Sequence, residues 1–246
     1  MIDQSTIKGR LVAAAIRLAA QSPWRDVTLT DIANSAGVSL VDLRNTFSSK
    51  GEVIAAFVRM IDDEVLAQTQ FTQRGRAQTT EDGAPSQTSP RDALFEVIMA
   101  RFDALGPYKA ALRSIADSWT LDPAIAAAVA RSQVWMLRAA GIGADGVEGR
   151  LRAGGLTGVY ASVYRTWLTD DDPGLGKTMA VLDRRLRRGE NVLKQADSAF
   201  GKLCGFARSC RGAVQRRSTT RDKAAANRTD EPTADDMENI PPGALS

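Results

Sequence analysis

Apolar residues recur at intervals of three and four along most of the chain, and no segment alternates with the period of two that a half-buried strand requires. From about Ser5 to Gln21, Ile7, Leu11, Ala15, Leu18 and Ala19 mark one helix face, with Lys8, Arg10 and Arg17 among the polar positions. Pro23 ends this helix, and Trp24 is placed to pack across a small helical core. Thr28 is suited to cap the next helix, and Asp31 three residues later completes a capping box. Ile32 and Ala33 give that helix a close-packing face, Gly37 permits the positive φ that ends it, and Val38 plugs the core beneath. Ser39 caps a second short helix whose apolar positions are Leu40, Leu43 and Phe47, leaving Val41, Asp42, Arg44, Asn45 and Thr46 facing outward. Two short helices around a glycine turn, the second with a polar face, form a helix-turn-helix. Lys50 then opens a longer helix that ends near Phe71.

Residues 73–90 contain no large apolar side chain and read as a linker or mobile loop. Beyond it the helical pattern resumes over Arg91–Leu105, Tyr108–Trp119, Asp122 to about Ala140 and Val147–Thr169, with a last long helix from about Gly174. The expected architecture is all-α. A three-helix helix-turn-helix domain occupies residues 1–60 and a second helical domain residues 61–217, followed by a disordered tail over 218–246 that has almost no large apolar residues.

Within the second domain Trp119, Trp135, Met136, Tyr160, Tyr164 and Trp167 either line an apolar pocket or form plain core. Gly154, Gly155, Gly158, Ala161 and Ser162 form a small-residue strip that permits close helix approach. The run Gly174-Leu175-Gly176-Lys177-Thr178 imitates the end of a phosphate-binding loop. Asp171 stands at the leading glycine position and no strand precedes the run, so nucleotide binding is not expected.

Composition narrows the chemistry. Histidine is absent, which removes His-dependent nucleophile pairs and His-ligated metal sites, and no catalytic set converges elsewhere; neither an enzyme nor a cofactor or metal is expected. No apolar run reaches the 18 residues of a membrane span. Cys204 and Cys210, six apart on one helix, do not face each other, and a reducing cytoplasm is the expected setting. Residues 1–60 carry seven basic against five acidic side chains, whereas residues 183–217 carry ten against three. The strongest positive field therefore lies far in sequence from the helix-turn-helix. Residues 190–217 read as a basic amphipathic helix, suited either to an anionic membrane surface or to packing on its own domain.

The residues T-x-x-D-I-A from Thr28, A-G-V-S from Ala36, Phe47 and S-K-G-E from Ser49 resemble the DNA-binding domain of the TetR (tetracycline-repressor) family, over roughly residues 5–60. The resemblance implies a homodimer that docks its second motif helix into the major groove of a double-stranded DNA operator. It also implies that residues 1–60 are the DNA-binding domain and residues 61–217 a ligand-binding and dimerisation domain, with a four-helix bundle formed by the last two helices of each subunit. Thr28, Thr30, Ser39, Leu40, Val41, Asp42, Arg44, Asn45, Thr46 and Lys50 are the candidate DNA contacts. The chain departs from the family pattern at Val41, where a glycine is usual, and at Arg44 and Thr46, where a phosphate-clamping tyrosine and histidine are usual. Arg44 can take over a phosphate contact as a permanent cation; Thr46 offers a weaker, neutral one. Lys50, with the amides at the start of its helix, is placed to hold a phosphate.

A second resemblance covers about 25 residues. The segment WLTDDDPGLGKTMAVLDRRLRRGE is similar to the C-terminal region of TetR-fold proteins allied to the lipid-binding accessory protein of ubiquinone biosynthesis. Two expectations follow. The first is a TetR-type transcriptional regulator, a repressor controlled by a small apolar ligand. The alternative is a TetR-fold lipid-binding protein of isoprenoid-quinone or membrane metabolism that does not bind DNA, with peripheral membrane contact through 190–217.

Overall fold

A computed structural model describes residues 2–79, 89–118 and 122–190. The first eight α-helices are α1 (Ile7–Gln21), α2 (Leu29–Ala36), α3 (Leu40–Thr46), α4 (Lys50–Thr79), α5 (Pro90–Leu105), α6 (Lys109–Asp117), α7 (Pro123–Ala139) and α8 (Gly146–Thr169). A further helical stretch, α9, covers residues 176–190. No strand occurs among the described residues, and the all-α expectation holds.

Local chemistry fixes the helix ends. The side chains of Thr6, Thr28, Ser39, Ser89 and Asp122 each accept a backbone amide at the start of α1, α2, α3, α5 and α7. Pro90 and Pro123 occupy first-turn positions, where a missing amide proton costs nothing. Gly106 and Pro107 tighten the chain into a single 3₁₀ turn between α5 and α6.

α1 buries Leu11, Val12, Ala14, Ala15, Ile16 and Ala19 against α2, α3, α4 and α6. Trp24, Val27, Ile32, Ala33, Leu43, Phe47, Val53, Ile54 and Phe57 close this part of the core. α4 packs onward against α5 and α7, and α7 against α8. At its usual rise the 30 residues of α4 extend about 45 Å, so one helix runs from the helix-turn-helix deep into the second helical layer.

Two expectations need correction. The loop predicted over 73–90 starts later, because α4 continues through Thr79. The Gln and Arg residues there are good helix formers, and the Thr residues and the single Gly75 lower helix propensity without breaking the helix. Residues 80–88 of that loop lie outside the described residues. Leu40, expected on the apolar side of α3, is 54% exposed. Phe47 lies beyond the helix with extended backbone (φ −143°), so it does not share a helical face with Leu40. Most of the basic segment 190–217 and the tail 218–246 also fall outside the described residues.

Candidate nucleic-acid interface

The helix-turn-helix is built from reciprocal capping. The Thr28 hydroxyl accepts the Asp31 amide while the Asp31 carboxylate accepts both the Thr28 amide (2.9 Å) and its hydroxyl (2.6 Å). These bonds hold the Asp31 carboxyl below the ordinary carboxylate value, the Thr28 hydroxyl contributing most. At the end of α2, Gly37 sits in the left-handed region (φ 62°, ψ 41°), and its space is open. Backbone conformation, not crowding, is what calls for glycine there. Arg17 of α1 spans to this corner, donating to the Ser35 carbonyl (2.9 Å) and hydroxyl (2.8 Å).

α3 buries only Leu43. Thr28, Thr30 and Ser39 are exposed at the two helix starts, and Leu40, Val41, Asp42, Arg44 and Asn45 are exposed along α3. Several of these polar groups are already committed. The Ser39 hydroxyl donates to the Asp42 carboxylate (2.7 Å) and accepts the Asp42 amide (3.1 Å). The half-buried Thr46 turns its hydroxyl back to the Asp42 carbonyl (2.7 Å). Lys50 points inward: its ammonium donates to the carbonyls of Trp24 (3.0 Å) and Val27 (2.6 Å) and lies 4.9 Å from the centre of the Trp24 ring. Burial lowers the Lys50 ammonium from its ordinary value, opposed by the nearby Asp26 carboxylate. Lys50 thus fastens the 24–27 loop to the start of α4, a geometry with no signal in the sequence.

The residues expected around a pocket differ in their placement. Trp119 lies outside the described residues, and Trp135 is 48% exposed with the Arg138 guanidinium 5.0 Å from its ring centre. Met136, Tyr160 and Trp167 are buried. Tyr160 and Trp167 stack against Phe102 at 5.5 and 5.4 Å, and Tyr164 contacts both at 6.0 and 5.7 Å. Burial raises the Tyr164 phenol well above its ordinary value. Two cavities, of about 460 and 380 Å³, are lined by other residues. One has Ser22, Arg25, Ser114 and Asp117 among its walls, the other Arg91, Phe95, Asp183 and Leu186.

Beside the aromatic row lies a buried polar network that the sequence reading missed. The Arg101 guanidinium, 2% exposed, pairs with the Asp62 carboxylate and donates through Nε to the Tyr160 hydroxyl (3.0 Å). Ser132 donates to the same Asp62 carboxylate (2.7 Å). Side chains from α4, α5, α7 and α8 therefore meet at one ion pair. The signal was present: Arg101 falls on the helical stripe of Leu94, Val97, Ile98 and Leu105, where a charge requires a buried partner.

A second polar knot closes the turn before α9. The Asp170 carboxylate accepts the Thr178 amide (2.9 Å) and hydroxyl (2.7 Å), while that of Asp172 accepts the amides of Gly174 and Gly176 (both 3.1 Å). The amides of the phosphate-loop look-alike are thus engaged by aspartates. Thr178 holds the Asp170 carboxyl below its ordinary value. A folded-state value below the unfolded one stabilises the protein at neutral pH, and the gain is lost as pH falls through the carboxylate range. The melting temperature should therefore drop as pH falls from 6 to 3, with a shallower drop in Thr178→Val and Thr28→Ala, read by circular dichroism. Equal slopes in all three proteins would contradict this.

No family model and no curated protein matches the chain. Solved structures do. A TetR transcriptional regulator from Nitrosomonas europaea ATCC 19718 is 25% identical, aligns over 75% of this chain and 98% of its own, and superposes with a TM-score of 0.54. A TetR transcriptional regulator from Rhodococcus sp. RHA1 is 22% identical over 72% of this chain and 92% of its own, with a TM-score of 0.51. The chain thus has the fold of TetR-family transcriptional regulators, the fold that its helix-turn-helix residues implied.

Proposed function

We propose that the chain is a DNA-binding transcriptional regulator, a homodimeric repressor whose operator affinity is set by a small apolar ligand held among the helices beyond residue 60. The observation that carries this reading is α3: a capped helix that buries Leu43 alone and turns Leu40, Val41, Arg44 and Asn45 outward beside a rigid glycine corner. Support for the dimer comes from α8. Val147 and Leu151 are exposed, and a Cβ added at Gly154, Gly155 or Gly158 meets nothing within 4 Å. That strip suits close approach of a second copy.

Arg44→Ala should weaken binding about equally on all DNA sequences and reduce the steepness of its salt dependence by about one phosphate equivalent. Fluorescence anisotropy at several salt concentrations measures both. Unchanged affinity and slope would contradict the assignment of Arg44 to the backbone.

Exposed Arg184, Arg185 and Arg188 on α9, at the head of the basic region, favour a second reading as a lipid-binding protein at an anionic membrane. Co-sedimentation with anionic vesicles, lost on deletion of residues 190–217, supports it; sedimentation unaffected by the deletion opposes it.

A further inference from the structure

We infer that α3 recognises thymine 5-methyl groups through Leu40 and Val41, so that the operator half-site carries thymines where these side chains meet the major groove. The inference rests on the DNA-binding reading and specifies what that surface reads.

Leu40 is 54% and Val41 61% exposed, two large aliphatic side chains side by side on a seven-residue helix. Neither contributes to the core, so folding does not explain their place. One Asp42 carboxylate oxygen accepts the Ser39 hydroxyl (2.7 Å), and its remaining lone pairs can still accept from a cytosine amino group at another position. Thr46 has spent its hydroxyl proton on the Asp42 carbonyl. Ser39 has spent its own on Asp42. Arg44 and Asn45 remain, one turn beyond Leu40 and Val41 on the same face. The exposed face thus carries an aliphatic pair, Leu40 and Val41, at the start of the helix, with the polar side chains of Asp42, Arg44 and Asn45 around and beyond it.

Among base edges in the major groove, the thymine methyl is the apolar feature that distinguishes one base pair from another. A water-exposed Leu–Val pair pressed against guanine or cytosine edges would desolvate their acceptors and donors without replacing those hydrogen bonds, which is unfavourable. Against thymine methyls the same pair removes apolar surface from water on both sides. Arg44 and Asn45, further along the helix, then take a phosphate or a purine edge.

Replacing thymine by deoxyuridine deletes the methyl and leaves every hydrogen-bonding group of the pair in place, which makes it the direct test. A duplex is first enriched from a random pool by the full-length protein. Single thymine-to-deoxyuridine changes are then made at each site, and affinities are measured for the native protein and for Leu40→Ala and Val41→Ala. Because both side chains are exposed, the variants should melt as the native protein does. Each contacted methyl is expected to be worth about four-fold in affinity, at one or two positions per half-site. The sensitivity at a given position should vanish in the variant lacking its partner side chain. Specific binding that is indifferent to deoxyuridine at every thymine would overturn this inference while leaving the regulator reading intact. Failure to enrich any sequence would overturn both.

Discussion

Replacing Arg101 with methionine should destabilise the protein by about 3–5 kcal/mol, because it strands the Asp62 carboxylate in the interior. Asp62 is 5% exposed, and its remaining partner is the Ser132 hydroxyl. A neutral hydroxyl does not replace the guanidinium as a counter-charge. The Tyr160 hydroxyl also loses the Nε donor from Arg101. Removing both charges together, as Asp62→Leu with Arg101→Met, should recover most of the loss, since the pair must overcome its own desolvation before it contributes anything. Urea unfolding of the two single variants and the double variant forms a thermodynamic cycle. Additive losses would mean that the two charges do not depend on one another. Asp62 lies on the helix that follows α3 directly, while Arg101, Ser132 and Tyr160 come from three other helices. The ion pair thus joins α4 to α5, α7 and α8 at one point.

The second large effect is expected at Trp167, where substitution by alanine should cost about 3–5 kcal/mol. Its ring is 1% exposed and lies against both Phe102 and Tyr164. On another side the Lys109 ammonium stands 5.2 Å from the ring centre and donates onward to the Asp170 carbonyl. Arg113 ties the same end of α8 to α6, through the Leu168 carbonyl and the Asp171 carboxylate (both 2.5 Å). Truncation would thus open a cavity and loosen the joint between α6 and α8. Trp167→Phe keeps the stack and should lose less than half as much in the same unfolding experiment. A Trp167→Ala protein as stable as the native one would show that the aromatic row can collapse without cost.

How much of this was legible in the sequence depended on whether the governing signal was local. The capping box of Thr28 and Asp31, the left-handed Gly37 and the Ser39 cap act over three or four residues, and each occurs in the structure where its spacing placed it. The same holds for the starts of α5 and α7, where a capping side chain precedes a proline. Side-chain direction was harder to read. Lys50 reaches back more than twenty residues to Trp24 and Val27, a pairing that no local pattern encodes. α7 is rich in alanine on several faces, so its sequence did not reveal that Trp135 faces outward while Met136, its neighbour, is buried. The end of α4 was misplaced for the opposite reason: a polar stretch without proline leaves the helix free to continue, and composition does not mark where it stops. The recognition surface on α3 was readable as a set of residues. Which of its polar groups are already spent within the helix required their hydrogen bonds.

The central claim, that α3 makes this chain a reader of operator DNA, is tested most directly by selecting bound duplexes from a random pool with the full-length protein at moderate salt. The expected result is enrichment of an inverted repeat whose half-sites are separated by one helical turn, ~34 Å, or a multiple of it. Affinity for that duplex should fall steeply as salt is raised. A pool that remains random after repeated rounds, even at low salt, would contradict it.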